Sequence, residues 1–421
     1  MSMTSRRDFM KLASAVGAGL ATHSVGAETL ARPSSAFLIP RPLIKGPIRI
    51  GYIGVGVRAR WHVKLPLGIG GVEIKAFADP RPKNMTEKIG YCTKAGKPVP
   101  ELYTNGEEDY KRLIERDDID IVVIATPWRF HAQQAIDSME AGKHVFVEVP
   151  AVMTEQECWD LVNTSERTGM HCMMLENCCY GPNEMRILNA VHQGKYGVLK
   201  HGTGAYIHHL TQFIKNCKVA EGLWRPVHWL NRNGCLYPTH GLGPVSQYMG
   251  INRGDQFDYL TSKSDPATAR NAFAAKLPEG HLYHNAKFKC GDINMTQIKT
   301  KQGRSIEIEF DTATHRKYNR RLYLKGSKAS GTIGEQHPLW NKLKSASKGS
   351  GHGGMDYMMW WRILHCLKNG LQLDQDVYDA AAWSAVAPLS EASVAAGGAQ
   401  VKFPDFTRGN WTKRQMLKIE V

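Results

Sequence analysis

The sequence predicts an α/β protein in two parts, a parallel-sheet domain followed by an α+β domain with a mostly antiparallel, open sheet. Three observations carry this. Between residues 48 and 149, short apolar runs alternate with helix-compatible stretches. Past residue 180 the texture changes, and strand candidates follow one another as hairpins. The 421 residues, 42% hydrophobic and 22% charged, match an ordinary two-domain globular chain rather than a disordered or fibrous one.

The elements follow in order. Ser5-Arg6-Arg7-Asp8-Phe9-Met10-Lys11, a mildly apolar stretch from Leu12 to Leu20 and the small residues Val25-Gly26-Ala27 read as a twin-arginine signal peptide over 1–27. Such a leader exports folded cargo, so a periplasmic or secreted protein is expected. Residues 28–47 carry four prolines and read as a linker. Ile48 to Ile53, Val72 to Ala78, Ile119 to Ala125 and His144 to Val149 are apolar enough for strands buried on both faces. Helix-compatible stretches at 107–116 and 131–141 supply right-handed crossovers. The first domain is placed at 48–177 and the second at 178–421. In the second, 184–192 reads as helix, and 293–299 and 305–310 flank a turn as a hairpin. Short strands are expected at 322–324 and 331–333. Met355 to Leu367, apolar almost all round, reads as a buried helix. The open face of such a sheet offers a surface for a homodimer.

Charge and cysteine usage exclude several classes. Lys and Arg outnumber Asp and Glu by 54 to 39, a formal +15. The basic residues are spread along the chain without finger or basic-zipper signatures, so the charge reads as a solubility device and no nucleic-acid partner is expected. No apolar run reaches the roughly 18 to 20 residues of a membrane span. Nine cysteines, an odd number without C-x-x-C, argue against a disulfide framework or zinc knuckle. His201, His208 and His209 cluster, but on a strand 208 and 209 point to opposite faces, and no metal site is expected.

The first strand runs into Gly54-Val55-Gly56-Val57-Arg58-Ala59, a G-x-G-x-x-A. Gly54 and Gly56 permit a tight turn and close approach of a pyrophosphate, and Ala59 lets the next helix pack on the strand. Asp79 ends the second strand 23 residues beyond Gly56, placed to accept hydrogen bonds from a ribose and to repel a 2′-phosphate. A Rossmann domain binding NAD rather than NADP is therefore predicted. Thr126-Pro127 and Glu148-Val149-Pro150 follow later strands of the same sheet, at the carboxyl ends where ligands of open α/β folds bind.

This combination resembles the Gfo/Idh/MocA oxidoreductases. Most of that family carry Glu-Lys-Pro where this chain has Glu148-Val149-Pro150, so the lysine that assists hydride transfer is missing. Several strings are instead similar to glycoside hydrolase family 109, the NAD-dependent α-N-acetylgalactosaminidases: Thr126 to His131, Glu176 to Gly181, Glu221 to Arg225, Tyr237 to Pro244, Asn252 to Asp255, His352 to Tyr357 and Asp376 to Ala380. The resemblance implies NAD contacts from Val57, Arg58, Asp79, Trp128, Arg129, Phe130, His131, Glu148, Val149 and Asn177. It implies contacts to a glycan ending in N-acetylhexosamine from Tyr206, Arg225, Tyr237, Pro238, Thr239, His240 and Tyr318.

NAD-dependent glycosidases depart from the usual two-carboxylate scheme. Oxidation at C3 of the sugar acidifies the C2 proton, the C1 group leaves by elimination, water adds, and the hydride returns with retention. The scheme needs a base and a stabiliser of negative charge. His240, with Tyr237 three residues before it, has the right chemistry for that work. A sugar dehydrogenase on the same scaffold is the alternative, and a periplasmic binding protein with a vestigial dinucleotide fold is the third reading.

Overall fold

A computed structural model describes residues 39, 41–216 and 224–420. The leader, most of the linker, Cys217 and Glu221 to Leu223 lie outside the described residues. Six strands form the first sheet: β1 (Ile48–Ile53), β2 (Val72–Ala78), β3 (Glu101–Tyr103), β4 (Ile121–Ile124), β5 (His144–Val147) and β6 (Cys172–Met174). Their order is β3-β2-β1-β4-β5-β6, and every pair is parallel. The chain reverses its winding between β1 and β4, and a crevice opens at that switch point. β1, β4 and β5 are buried almost throughout, as two-faced coverage by helices requires.

The second sheet holds β7 (Leu199–Ile207), β8 (Phe257–Ser264), β9 (Ile293–Thr300), β10 (Ser305–Asp311), β11 (Tyr323–Gly326) and β12 (Val401–Lys402), in the order β11-β7-β10-β9-β8-β12. It is mixed. Four pairs are antiparallel and β7 runs parallel to β10. The expected strand at 331–333 does not form; Gly331 instead donates its N–H back to the Leu324 carbonyl beside β11. The helices Thr239–Met249 and Val377–Ala395 bury themselves against one face.

The C-terminal half also covers the first sheet. The helix Met355–Asn369, apolar nearly all round as the sequence predicts, sends Trp360 Nε1 to His62 Nδ1 at 2.9 Å. Ser384 Oγ accepts the Ala151 N–H, and Ile44, at the end of the proline-rich stretch, donates to the Leu367 carbonyl. The eight described cysteines are free and buried. Among the described residues, no helix is long and apolar enough to cross a membrane.

Candidate active site

The cofactor side is built on the turn after β1. Gly54 has φ +79°, and a Cβ there would stand 2.6 Å from Thr126 Cγ2, so glycine lets this turn lie against the end of β4. At Gly56 a Cβ would meet nothing within 4 Å. The turn thus keeps open the space that a pyrophosphate needs above the N-terminus of the helix Ala59–Ile69. Val57 stands exposed at the mouth of the turn. Asp79 is fixed by three donors: Val55 N–H on Oδ2 at 3.0 Å, Arg81 N–H on Oδ1 at 2.9 Å, and the Asn84 amide. The Asn84 amide reaches both oxygens, at 3.2 and 3.0 Å, so four contacts fix this carboxylate at the end of β2.

Glu148, at the end of β5, is the centre of a buried ionic knot. Its Oε1 accepts from Arg58 Nε at 2.5 Å and His62 Nε2 at 2.7 Å. Arg58 also grips Asp356 with both terminal nitrogens, at 2.9 and 3.1 Å, and Asn177 Nδ2 donates to the same carboxylate at 2.7 Å. Because Trp360 donates to Nδ1 of His62, that ring is the neutral tautomer whose Nε2–H faces Glu148. Burial alone would raise the Glu148 carboxyl; the Arg58 guanidinium outweighs it and holds it below the ordinary range. Asp356 is likewise held low against its own burial, mainly by Arg58.

Trp128 donates from Nε1 to the Val149 carbonyl at 3.1 Å, joining the ends of β4 and β5. His131 is a brace between the same two turns, its ring nitrogens each 2.8 Å from the carbonyls of Pro150 and Thr126. Arg129 lies outward, paired with Glu107 at 3.2 Å and stacked on Phe130.

Opposite this crevice is an aromatic box. Tyr206 of β7, Tyr237 and His240 have ring centroids 4.6 to 5.3 Å apart. Tyr237 stacks on Trp128 at 5.6 Å, which brings the box against the cofactor side. Pro238 and Thr239 make the turn into the helix Thr239–Met249. His240 Nδ1 lies 2.8 and 2.9 Å from the two oxygens of Glu176, whose Oε1 also accepts the Cys178 N–H. The imidazole therefore donates Nδ1–H to a buried carboxylate, which leaves Nε2 as the nitrogen that can accept a proton. Burial would push the Glu176 carboxyl up, but His240 brings it below its ordinary value.

Arg225 forms no ion pair among the described residues. Its guanidinium sits over the rings of Tyr237 at 5.0 Å and Trp128 at 5.6 Å, and Nη1 reaches the Tyr206 hydroxyl at 3.5 Å. A cation in an aromatic cage can answer negative charge on a ligand. Burial pushes the Tyr237 phenol up, so it stays protonated. Tyr318, exposed at the rim, stands edge-on to Tyr206 at 6.3 Å.

Glu176, Cys178 and His240 place ligand-type atoms within 4.8 Å of one another. Cys178 Sγ lies 3.5 Å from Asn177 Oδ1, and the His240 nitrogen is engaged by Glu176.

Sequence reading misses four members of the site. Glu176, His62 and Asp356 act across long sequence separations, which spacing does not reveal. His208, dismissed as a metal ligand, stacks on Tyr206 at 5.9 Å, meets Tyr318 edge-on at 5.3 Å, and has a buried Nδ1 without a partner among the described residues.

A dinucleotide crevice facing a polar aromatic box defines an NAD-binding protein of the Gfo/Idh/MocA oxidoreductase fold. Residues 48–176 match the oxidoreductase family with an NAD-binding Rossmann fold, and 180–335 with 334–413 match the glycosyl hydrolase 109 C-terminal domain. The chain is 44% identical to glycosyl hydrolase family 109 proteins of Shewanella putrefaciens and Shewanella pealeana, covering 98% of this chain and 98% of each relative. The chain belongs to glycosyl hydrolase family 109. Solved structures share the fold at low identity. Levoglucosan dehydrogenase in complex with NADH has TM-score 0.64 at 17% identity, over 85% of this chain and 99% of that one. The WlbA dehydrogenase of Bordetella pertussis, in complex with NADH and UDP-GlcNAcA, has TM-score 0.63 at 15%, over 86% and 99%.

Proposed function

We propose that this NAD-dependent glycosidase releases terminal α-linked N-acetylgalactosamine with retention. The observation that carries the reading is the His240–Glu176 pair in a box shared with the Arg225 guanidinium. The choice of sugar rests on the family resemblance.

When bound, NAD supplies a reversible hydride acceptor for C3 of the sugar, so that elimination at C1 and addition of water complete a cycle that consumes no external oxidant. The residues of the chain do the rest. Glu176 holds the Nδ1–H of His240, and Nε2 takes the C2 proton. The Tyr237 phenol, protonated and against the His240 ring, donates toward the sugar oxygens. Arg225 offsets negative charge developing on the oxygen at C3. Val149, buried and aliphatic, gives no proton carrier where a dehydrogenase has lysine, which favours the glycosidase over the dehydrogenase reading. Val57, Arg58, Asp79, Trp128 to His131, Glu148, Val149 and Asn177 are the proposed cofactor-holding set, and Tyr206, Arg225, Tyr237 to His240 and Tyr318 the sugar-holding set.

The twin-arginine pattern supports export of a folded, loaded protein to the periplasm or beyond. The purified protein is therefore expected to release NAD on denaturation. The function is tested with p-nitrophenyl N-acetyl-α-galactosaminide and no added NAD. Release of p-nitrophenol is expected; accumulation of NADH absorbance without p-nitrophenol, once NAD is supplied, would identify a dehydrogenase instead.

A further inference from the structure

The chain stays pinned where it leaves β7. His208 donates its N–H to the Asp311 carbonyl at 2.8 Å, and Ile207 and Asn319 exchange backbone hydrogen bonds at 3.1 Å each. Side chains alternate along extended chain, so His208 shares a face with Tyr206. The antiparallel Ile207–Asn319 bridge sets Tyr318 opposite His208 on that same face. The rings agree with this register: His208 stacks on Tyr206 at 5.9 Å, and Tyr318 meets it edge-on at 5.3 Å. Tyr206 in turn lies 4.6 Å from Tyr237 and 5.3 Å from His240, so His208 is part of the wall of the box.

Other histidines of the site are held through their nitrogens: His62 by Trp360 and Glu148, His131 by two carbonyls, and His240 by Glu176. His208 differs. Its Nδ1 is buried without a hydrogen-bond partner among the described residues, an arrangement that costs stability and calls for a functional reason. The ring as a whole is only half-buried, which leaves Nε2 for a ligand. No partner on Nδ1 fixes the tautomer, so Nε2 can accept or donate. Burial, followed by the charges of Arg225 and His240, pushes the imidazole below its ordinary value, so the ring is neutral at pH 7. A neutral ring with a free tautomer suits a hydroxyl better than an anion.

We propose that His208 is a specificity residue for the sugar in the box, hydrogen-bonding through Nε2 to a hydroxyl that takes no part in the chemistry, on C4 or C6. The identity of the occupant rests on the glycosidase reading. In that reading His240 and Arg225 are committed to C2 and C3, and the remaining hydroxyls fall to the wall that Tyr206, His208 and Tyr318 form.

The test is a cycle of one side chain against one substituent. It uses the NAD-loaded full chain with p-nitrophenyl N-acetyl-α-galactosaminide and its 4-deoxy and 6-deoxy analogues. The parent should lose about 3- to 10-fold in kcat/KM on one analogue, the worth of one hydrogen bond. His208→Phe, which keeps a flat ring against Tyr206 and Tyr318, should lose a similar factor on the intact glycoside and nothing further on that analogue. His208→Gln restores a donor and an acceptor and should recover the discrimination. If His208→Phe loses as much on each analogue as the parent does, or keeps the parent kcat/KM on the intact glycoside, the proposal is overturned and His208 only packs. The cycle is repeated with His208→Leu, so that a folding defect in one variant leaves the other to decide. Read as Kd with the three methyl glycosides, the same cycle needs no cleavage. Failure of the parent to release p-nitrophenol would therefore remove the glycosidase reading while the Kd cycle still decides the role of His208; no binding of any methyl glycoside would overturn both.

Discussion

His240 gives Nδ1 to a carboxylate and, on the proposed mechanism, Nε2 to a substrate, and this division sets what each nearby substitution should do. Removing the imidazole in His240→Ala takes away the base, and kcat is expected to fall by roughly 10²- to 10⁴-fold, with bound NAD unchanged. Glu176→Gln keeps an acceptor for Nδ1–H but loses the charge that stabilises an imidazolium. Its activity is expected to fall by roughly 10- to 10³-fold, and a rate equal to the parent would show that Glu176 only packs. On the cofactor side, Asp79→Ala removes hydrogen bonds to a charged acceptor worth about 1.5 to 3 kcal/mol each. Nucleotide released from the denatured variant should drop well below that from the parent; equal occupancy would mean Asp79 does not hold the ribose. Of these residues, His240 and Asp79 are legible from their motifs, because each stands at a fixed offset from glycine-marked turns. Glu176 is legible only as part of a string. Its pairing with His240 spans 64 residues, and nothing local in either segment encodes it.

The helix Thr239–Met249 lies backbone to backbone on β7, and that contact aims His240. A Cβ on Gly241 would stand 2.3 Å from the Ala205 nitrogen, and one on Gly204 would stand 2.4 Å from the Gly241 carbonyl oxygen. Gly241→Ala must therefore lift the helix from the strand. The expected cost is about 1 to 3 kcal/mol of stability, read as a lower Tm. Displacing the neighbouring His240 by about 1 Å should cost roughly 10²-fold in kcat, so activity should fall by more than the stability loss accounts for. Parent-like kcat in this variant would mean that the glycine contact does not aim the base. The same contact explains why β7 is not legible. Its helix-facing positions include Gly202 and Gly204, and its opening residues include Lys200 and His201, so neither β-propensity nor apolar alternation marks it. β8, with Asp258, Ser262 and Lys263, fails for a related reason. β1 and β2 are legible to the residue, because apolar side chains fill them apart from Arg49, Glu73 and Lys75, whose positions are only half-buried.

At the scale of the molecule, the ties between the halves are invisible in sequence and buried in the fold. Arg58 meets Asp356, and His62 meets Trp360, each across 298 positions. Such knots bury histidines that must stay neutral. Burial pushes His62 down, and takes His144 to about 4, His228 to about 3 and His337 to about 4. Unfolded histidine titrates near 6.5. Below that pH the unfolded chain binds protons that the folded chain refuses, so stability falls as the pH drops from about 6.5 toward 3 to 4. Each such histidine contributes a slope of up to about 1.4 kcal/mol per pH unit. Glu148 and Asp356 have depressed folded values, so their contribution is present above the ordinary carboxyl range and is lost only as the pH falls below it. The expected Tm profile is therefore flat above pH 7, declines from about pH 6.5, and steepens below about pH 4.5. His144→Asn separates the causes, since it offers an acceptor in place of the Nδ1 that takes the His171 N–H and cannot titrate. Its Tm should decline less steeply than the parent's between pH 6.5 and 4.5, whatever its starting value. A parent Tm that holds level from pH 8 to pH 5 would show that these buried rings accept protons in the folded state.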